Sequence, residues 1–212
     1  MDRTLTVILG FVAAGVALLL GVALVLTIRS SGEEPFDVSF TPLRPTISPI
    51  EHDPAAATAL IEAWAEWRTG TFVTAGTWTR TVDARPDDPL IGDVLLVQDP
   101  PRRQVVRLGS MTTDIDDPQR FERLVVSELG LVGGYVVGNG RLYDVARVSD
   151  GCFQAELVVP SLASPWGRWA QYCFDDESGA LVSARVRRQS AFDVEQSVVI
   201  TTTVTDADFA RS

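Results

Sequence analysis

Lysine is absent from this 212-residue chain, and all 18 basic residues are arginine. A bias of this kind reads as the codon usage of a GC-rich coding sequence, and no chemistry is assigned to it. Histidine occurs once, as His52, so a histidine-based metal centre or a Ser-His-Asp arrangement would depend on that single ring. No P-loop is present and no G-x-G-x-x-G opens a helix; Gly133, Gly134, Gly138 and Gly140 fall in a strand and hairpin pattern. Asp114, Asp116 and Asp117 lack the central glycine and terminal glutamate of an EF-hand loop, and aspartates clustered before a helix serve as cap and turn. Asp175, Asp176 and Glu177 read as a solvated hairpin tip. No two carboxylates stand out as a glycosidase pair. The expectation is a non-enzymatic chain without catalytic residues, metal ligands or cofactor.

What is present begins with a hydrophobic run. Leu5 to Ile28 (LTVILGFVAAGVALLLGVALVLTI) carries no charge and would rise about 36 Å as a helix, enough to cross a bilayer core of about 30 Å. The apolar core of a secretion signal is only about 7 to 15 residues long. No A-x-A-like cleavage site follows either, since the next residues are Arg29, Ser30, Ser31, Gly32, Glu33 and Glu34. The run is predicted to be a retained membrane anchor, with a cleaved signal as the alternative. Within it Gly10 and Ala14, then Ala13, Ala17 and Gly21, recur four apart, a spacing through which two such helices could form a homodimer.

Removing Arg3, Arg29 and Asp2 from totals of 18 basic and 28 acidic residues leaves 16 against 27. The resulting charge of about −11 repels phosphate backbones, so nucleic acid is not an expected partner. Arg3 and Arg29 flank the apolar run on opposite sides and do not decide its orientation. The cysteines do more. Cys152 and Cys173 show no metal-site spacing, and a disulfide between them would place the large C-terminal part outside the cytoplasm; two free buried thiols would not. The predicted location is the cell membrane, single-pass, with the C-terminal domain outside.

The chain divides into a tail and anchor (residues 1–29), a linker (30–52) spaced by Pro35, Pro42, Pro45 and Pro49, and one domain (53–212). Asp53 to Arg68 reads as a helix capped by Asp53 and Pro54, with Ala57, Leu60, Ile61, Trp64 and Trp67 on one face. Thr71 to Val82 alternates as a long strand, followed by a turn at Arg85 to Asp88. Leu90 to Gln98 and Arg103 to Met111 form a meander about Pro100 and Pro101. Asp117 to Gly130 reads as a second helix, and Tyr135 to Val137 with Arg141 to Val148 as a hairpin around Gly138, Asn139 and Gly140. A less regular section from Cys152 leads to strands at 169–174, 180–188 and 194–205, with Phe209 tucked under the sheet edge. Trp64 and Trp67 are core residues by default, and with Trp78 they are the candidate walls of an apolar ligand groove.

A Trp-bearing helix, a long Thr-rich strand, a meander and the closing segments Tyr172 to Leu181 (YCFDDESGAL) and Ser197 to Phe209 (SVVITTTVTDADF) resemble the LolA-like lipoprotein-carrier superfamily, including the sensor domains of MucB/RseB regulators. The resemblance implies an α+β fold: a curved antiparallel half-barrel covered by one or two helices, with a concave apolar face for acyl chains or lipoproteins. It departs from soluble carriers in keeping a protein anchor, and no site residue is transferred. Two functions are expected in competition, ahead of a third, an unrecognised hydrolase that would require paired carboxylates in a cleft. One is a membrane-anchored extracytoplasmic module for lipid or another apolar ligand, contacted by Trp64, Trp67 and Trp78 across an open cavity. The other is an envelope regulatory or scaffold protein that binds another protein through its ectodomain, over a filled core.

Overall fold

The computed structural model describes residues 50–158 and 164–210. The apolar run Leu5 to Ile28, its small-residue stripe and the linker as far as Pro49 lie outside the described residues. Among the described residues, no helix is long and apolar enough to cross a membrane.

The Asp53 carboxylate accepts from the Ala55 amide at 2.9 Å and Pro54 occupies the first turn, where its missing N–H leaves no gap, so α1 runs Pro54–Thr69. Four antiparallel strands follow: β1 (Phe72–Val82), β2 (Arg85–Asp99), β3 (Arg103–Leu108) and β4 (Met111–Ile115). Asp117 then caps α2 (Pro118–Val136) by accepting from the amides of Gln119 and Arg120. Five more strands are β5 (Tyr143–Ser149), β6 (Cys152–Leu157), β7 (Trp169–Phe174), β8 (Leu181–Arg187) and β9 (Ala191–Thr201), before a short α3 (Asp206–Ala210). Among the described residues, the nine strands form one open sheet in the order β4-β3-β2-β1-β9-β8-β7-β6-β5, antiparallel throughout. The central strand is thus the last to be made.

Several segments depart from the sequence reading. The turn expected at Arg85 to Asp88 is strand, because Val82 pairs directly with Arg85 and only Asp83 and Ala84 make the bend. The strand expected from Arg103 to Met111 breaks at Gly109, whose φ of +56° admits a tight turn, and a separate β4 begins at Met111. The second helix does not stop at Gly130. Its buried stripe of Val125, Val132 and Val136 continues past the glycines, and burial outweighs their poor helix propensity of about 1 kcal/mol each. Consequently Tyr135 and Val136 are helical, and the Gly138–Asn139–Gly140 segment joins a helix to a strand instead of closing a hairpin. The section after Cys152 is regular at its start, as β6.

The sheet curves around the helix pair. At about 4.8 Å per strand, nine flat strands would hold their edges about 38 Å apart. Yet α2 packs Phe121 and Val125 against Ile115 of β4 at one edge, and its Tyr135 carbonyl accepts from the Leu142 amide, next to β5, at the other. From Phe121 to Tyr135 a helix rises only about 21 Å, so the two edges are drawn together beneath it. The face turned toward the helices is called the inner face here.

Candidate ligand-binding site

Alternation along each strand assigns every residue to a face, and cross-strand partners share it. Trp78 pairs with Glu195 on β9 and with Gly92 on β2; Glu195 pairs with Ala184, Ala184 with Tyr172, and Tyr172 with Phe153. This is one continuous inner-face row running across six strands. Its flanking residues on β1 and β9 are Arg80 with Asp193 on one side and Gly76 with Ser197 on the other.

One half of the inner face is filled. Trp64 is 1 % exposed, its ring stacked on Trp166 at 5.5 Å and edge-on to Trp67, Tyr172 and Phe174 at 5.3, 5.1 and 6.2 Å. Its indole N–H donates to Glu128 Oε1 of α2 at 2.9 Å. Arg68 Nε stands 3.0 Å from Glu128 Oε2 as an ion pair that is not aligned as a hydrogen bond. Trp67, 7 % exposed, lies beneath the Arg68 guanidinium at 5.3 Å. Trp64 and Trp67 are therefore enclosed by side chains of their own fold, and the row's open part belongs to Trp78, which is half-buried. The three indoles named by the sequence reading do not converge on one site.

Around Trp78 the electrostatics are uneven. Arg80 grips Asp193 with two bonds of 2.6 and 2.7 Å, and Arg188 Nε adds a third at 2.6 Å. Burial opposes charge on Asp193, but the bonds from Arg80 and Arg188 outweigh it and hold the carboxyl below its ordinary range. Two residues along, Glu195 makes no hydrogen bond or ion pair with any described residue, and burial alone pushes its carboxyl up to about 7. Tyr172 is 0 % exposed, and burial pushes its phenol well above the ordinary value. Neither the Tyr172 hydroxyl nor the Ser197 hydroxyl has a hydrogen-bond partner among the described residues, although both are shut from solvent. The sequence reading passed over Glu195, Ser197 and Tyr172.

The acidic clusters are accounted for locally. Asp114 takes two bonds from Arg103, Asp117 caps α2, and Asp175 accepts from Ser178 within its turn. Among the described residues, no group of three His, Cys, Asp or Glu side chains is gathered closely enough to hold a metal ion. Cys152 and Cys173 are joined as a disulfide, and they are also direct partners on β6 and β7. The bond therefore clamps two neighbouring strands at their ends as well as closing the segment between them. A surface cavity of about 260 Å³ lies apart from the row, between the start of α1 and the end of α2, lined in part by His52, Thr58, Asn139 and Arg141.

No protein-family model and no curated protein matches the sequence. Solved structures similar in fold include a LolA superfamily protein from Nitrosomonas europaea, at 9 % identity and a TM-score of 0.27, covering 73 % of this chain and 97 % of that one. LprF from Mycobacterium bovis is similar at 11 % identity and a TM-score of 0.32, covering 73 % and 96 %. MucB, solved in complex with MucA(peri), is similar at 12 % identity and a TM-score of 0.30, covering 74 % of this chain and 59 % of that one. These are likenesses to solved structures only, and at these identities and TM-scores no family, residue role or ligand passes from those proteins to this chain.

Proposed function

We propose that this chain is a membrane-anchored, extracytoplasmic binding module that holds a lipid or another apolar ligand on the inner face of its sheet, and that it is not an enzyme. The observation that carries the reading is the contrast along one row: its Tyr172 end is packed solid beneath Trp64, while its Trp78 end remains half-buried on the floor of a curved sheet. Buried Val94, opposite Gly76, is its diagonal neighbour on β2, and Leu96 follows on the same face, giving an apolar wall beside polar groups that could orient a ligand. The Cys152–Cys173 disulfide supports an oxidising compartment, and the uncharged run Leu5 to Ile28 supports an anchor.

Photolabelling of the full chain in membranes with a long-chain alkyl diazirine tests this. Adducts within the domain should map to the β1, β2 and β9 peptides that contain Trp78, Val94 and Glu195, and Trp78→Ala should remove most of them. Domain adducts confined to the outer face, or none at all, would overturn the reading.

A second reading rests on a separate observation. Ile91, Val198 and Ile200 are 70, 63 and 60 % exposed, so β2 and β9 present large apolar side chains to solvent. That surface suits an envelope regulatory or scaffold protein with a protein partner. Loss of a cross-linked protein on Val198→Asp, with alkyl labelling intact, would favour this reading.

A further inference from the structure

We propose that Glu195, Ser197 and Tyr172 form a polar subsite at the inner end of the groove, where the open part of the inner face meets its filled half, which takes the uncharged, hydroxyl-bearing head of an apolar-tailed ligand. The proposal rests on the reading above that the inner face holds an apolar ligand, and it adds the chemistry of that ligand's head.

Register places the groups together. Glu195 and Ser197 are alternate residues of the central strand β9, so both project from the inner face, and Tyr172 stands two strands away in the Glu195 row with only Ala184 between them. The methyl of Ala184 leaves the space above it to the larger neighbours. The Tyr172 phenol lies within electrostatic reach of Glu195.

All three groups lack partners among the described residues. A buried hydroxyl without a hydrogen bond loses its water and gains nothing in return, and folded proteins keep few such groups. Here two occur beside a carboxyl that also has no partner. The adjoining Asp193 shows that the fold can satisfy an inner-face carboxylate, since it accepts three bonds from two arginines. Glu195 receives none of them.

Charge selects the head. An anion would face Glu195 and Asp193. A cation would face Arg80 and Arg188, and the Trp78 ring that could otherwise bind it already lies beneath the Arg80 guanidinium at 5.3 Å. A hydroxyl meets neither objection: it donates to the Glu195 carboxyl and accepts from the Tyr172 or Ser197 hydroxyl.

The test compares two probes with the same acyl chain, 1-oleoylglycerol and methyl oleate, in equilibrium binding to the full chain. The native protein should hold the glycerol-headed probe at least about 10-fold more tightly, because a site built around a hydroxyl rejects the analogue that lacks it. Glu195→Leu should reduce that ratio to about 2-fold without weakening methyl oleate, and Ser197→Ala should reduce it less. Equal binding of both probes to the native protein would overturn the subsite and leave the apolar groove standing. So would a ratio unchanged by Glu195→Leu. Binding of neither probe would overturn the groove and the subsite together. Should Glu195→Leu fail to fold, the native ratio and the Ser197→Ala ratio still decide the matter.

Discussion

The side-chain amide of Gln98 donates to the main-chain carbonyl of Trp67 at 2.6 Å. The same amide nitrogen reaches the Gly70 carbonyl at 2.9 Å, and its oxygen accepts from Gln104. Gln98 is 0 % exposed, so one glutamine satisfies the end of α1 and joins it to β2 and β3 where water cannot substitute. Gln98→Leu should lower the unfolding free energy by about 2 to 4 kcal/mol, since it strands two carbonyls and Gln104 at once. Urea denaturation measures this, and a loss below about 1 kcal/mol would show that the link is dispensable.

Two glycines should respond in opposite directions. A Cβ on Gly76 would stand 1.9 Å from the Gln196 carbonyl oxygen, main chain that cannot swing aside. Gly76→Ala should therefore separate β1 from β9 and cost at least about 3 kcal/mol. Gly130 sits inside α2 with nothing within 4 Å of a built Cβ. Gly130→Ala should add about 0.5 to 1 kcal/mol of stability. Thermal melts of the two variants check both signs.

Glu195 gives the fold a pH dependence of definite sign. Its carboxyl titrates near 7 in the folded chain against an ordinary 4.5, so the folded state holds the proton more tightly. Stability contributed by this group is full below about 4.5, declines as pH rises through about 7, and is level above that. The groups facing it from β1, β9, β8 and β7 are Arg80, Asp193, the nearby Arg188 and Tyr172; Asp193 is held ionised by the two arginines and the phenol stays protonated throughout this window. Because Glu195 is only half-buried, the loss is put at about 1 to 2 kcal/mol, less than the shift alone would give. Glu195→Gln should match the native melting temperature at pH 5 and exceed it by several degrees at pH 8.5. A constant difference across that range would place the titration elsewhere.

Reduction supplies another test. The disulfide closes a 21-residue separation, for which loop entropy predicts about 3 kcal/mol of stabilisation. Dithiothreitol, or Cys152→Ala with Cys173→Ala, should lower the urea midpoint accordingly. An unchanged midpoint would mean that β6 and β7 hold one another without it.

Sequence signals worked where a residue acts on its immediate neighbours. Asp53 and Pro54, like Asp117 and Pro118, start helices through their own caps, and the Asp175 to Gly179 turn closes through Ser178. They failed where a distant packing decision overrode the local rule, as at Gly130 and at Tyr135. The site was hidden for a sharper reason. Along β9 the parity carrying Asp193, Glu195 and Ser197 is polar, while the other carries Val194 and Val198. Alternation normally sends the polar parity to water, yet here it faces inward and leaves Val198 63 % exposed. Only the pairing register reveals the inversion. Trp64 and Trp67, chosen for aromaticity, proved to be neighbours of each other and not of Trp78.

At the β5 border of the sheet the approaching residues form a selvedge: the Ile50 amide donates to Glu156 of the neighbouring β6, the Asp53 amide donates to the Val145 carbonyl of β5 at 2.8 Å, and His52 accepts from the Val145 amide at 3.2 Å. A pull on the chain ahead of Ile50 is therefore borne first by these few bonds. They would let go one after another, as a seam opens from its end, and expose the β5 backbone before the nine strands lose any pairing among themselves. A tug from that side is converted into an uncovered strand edge.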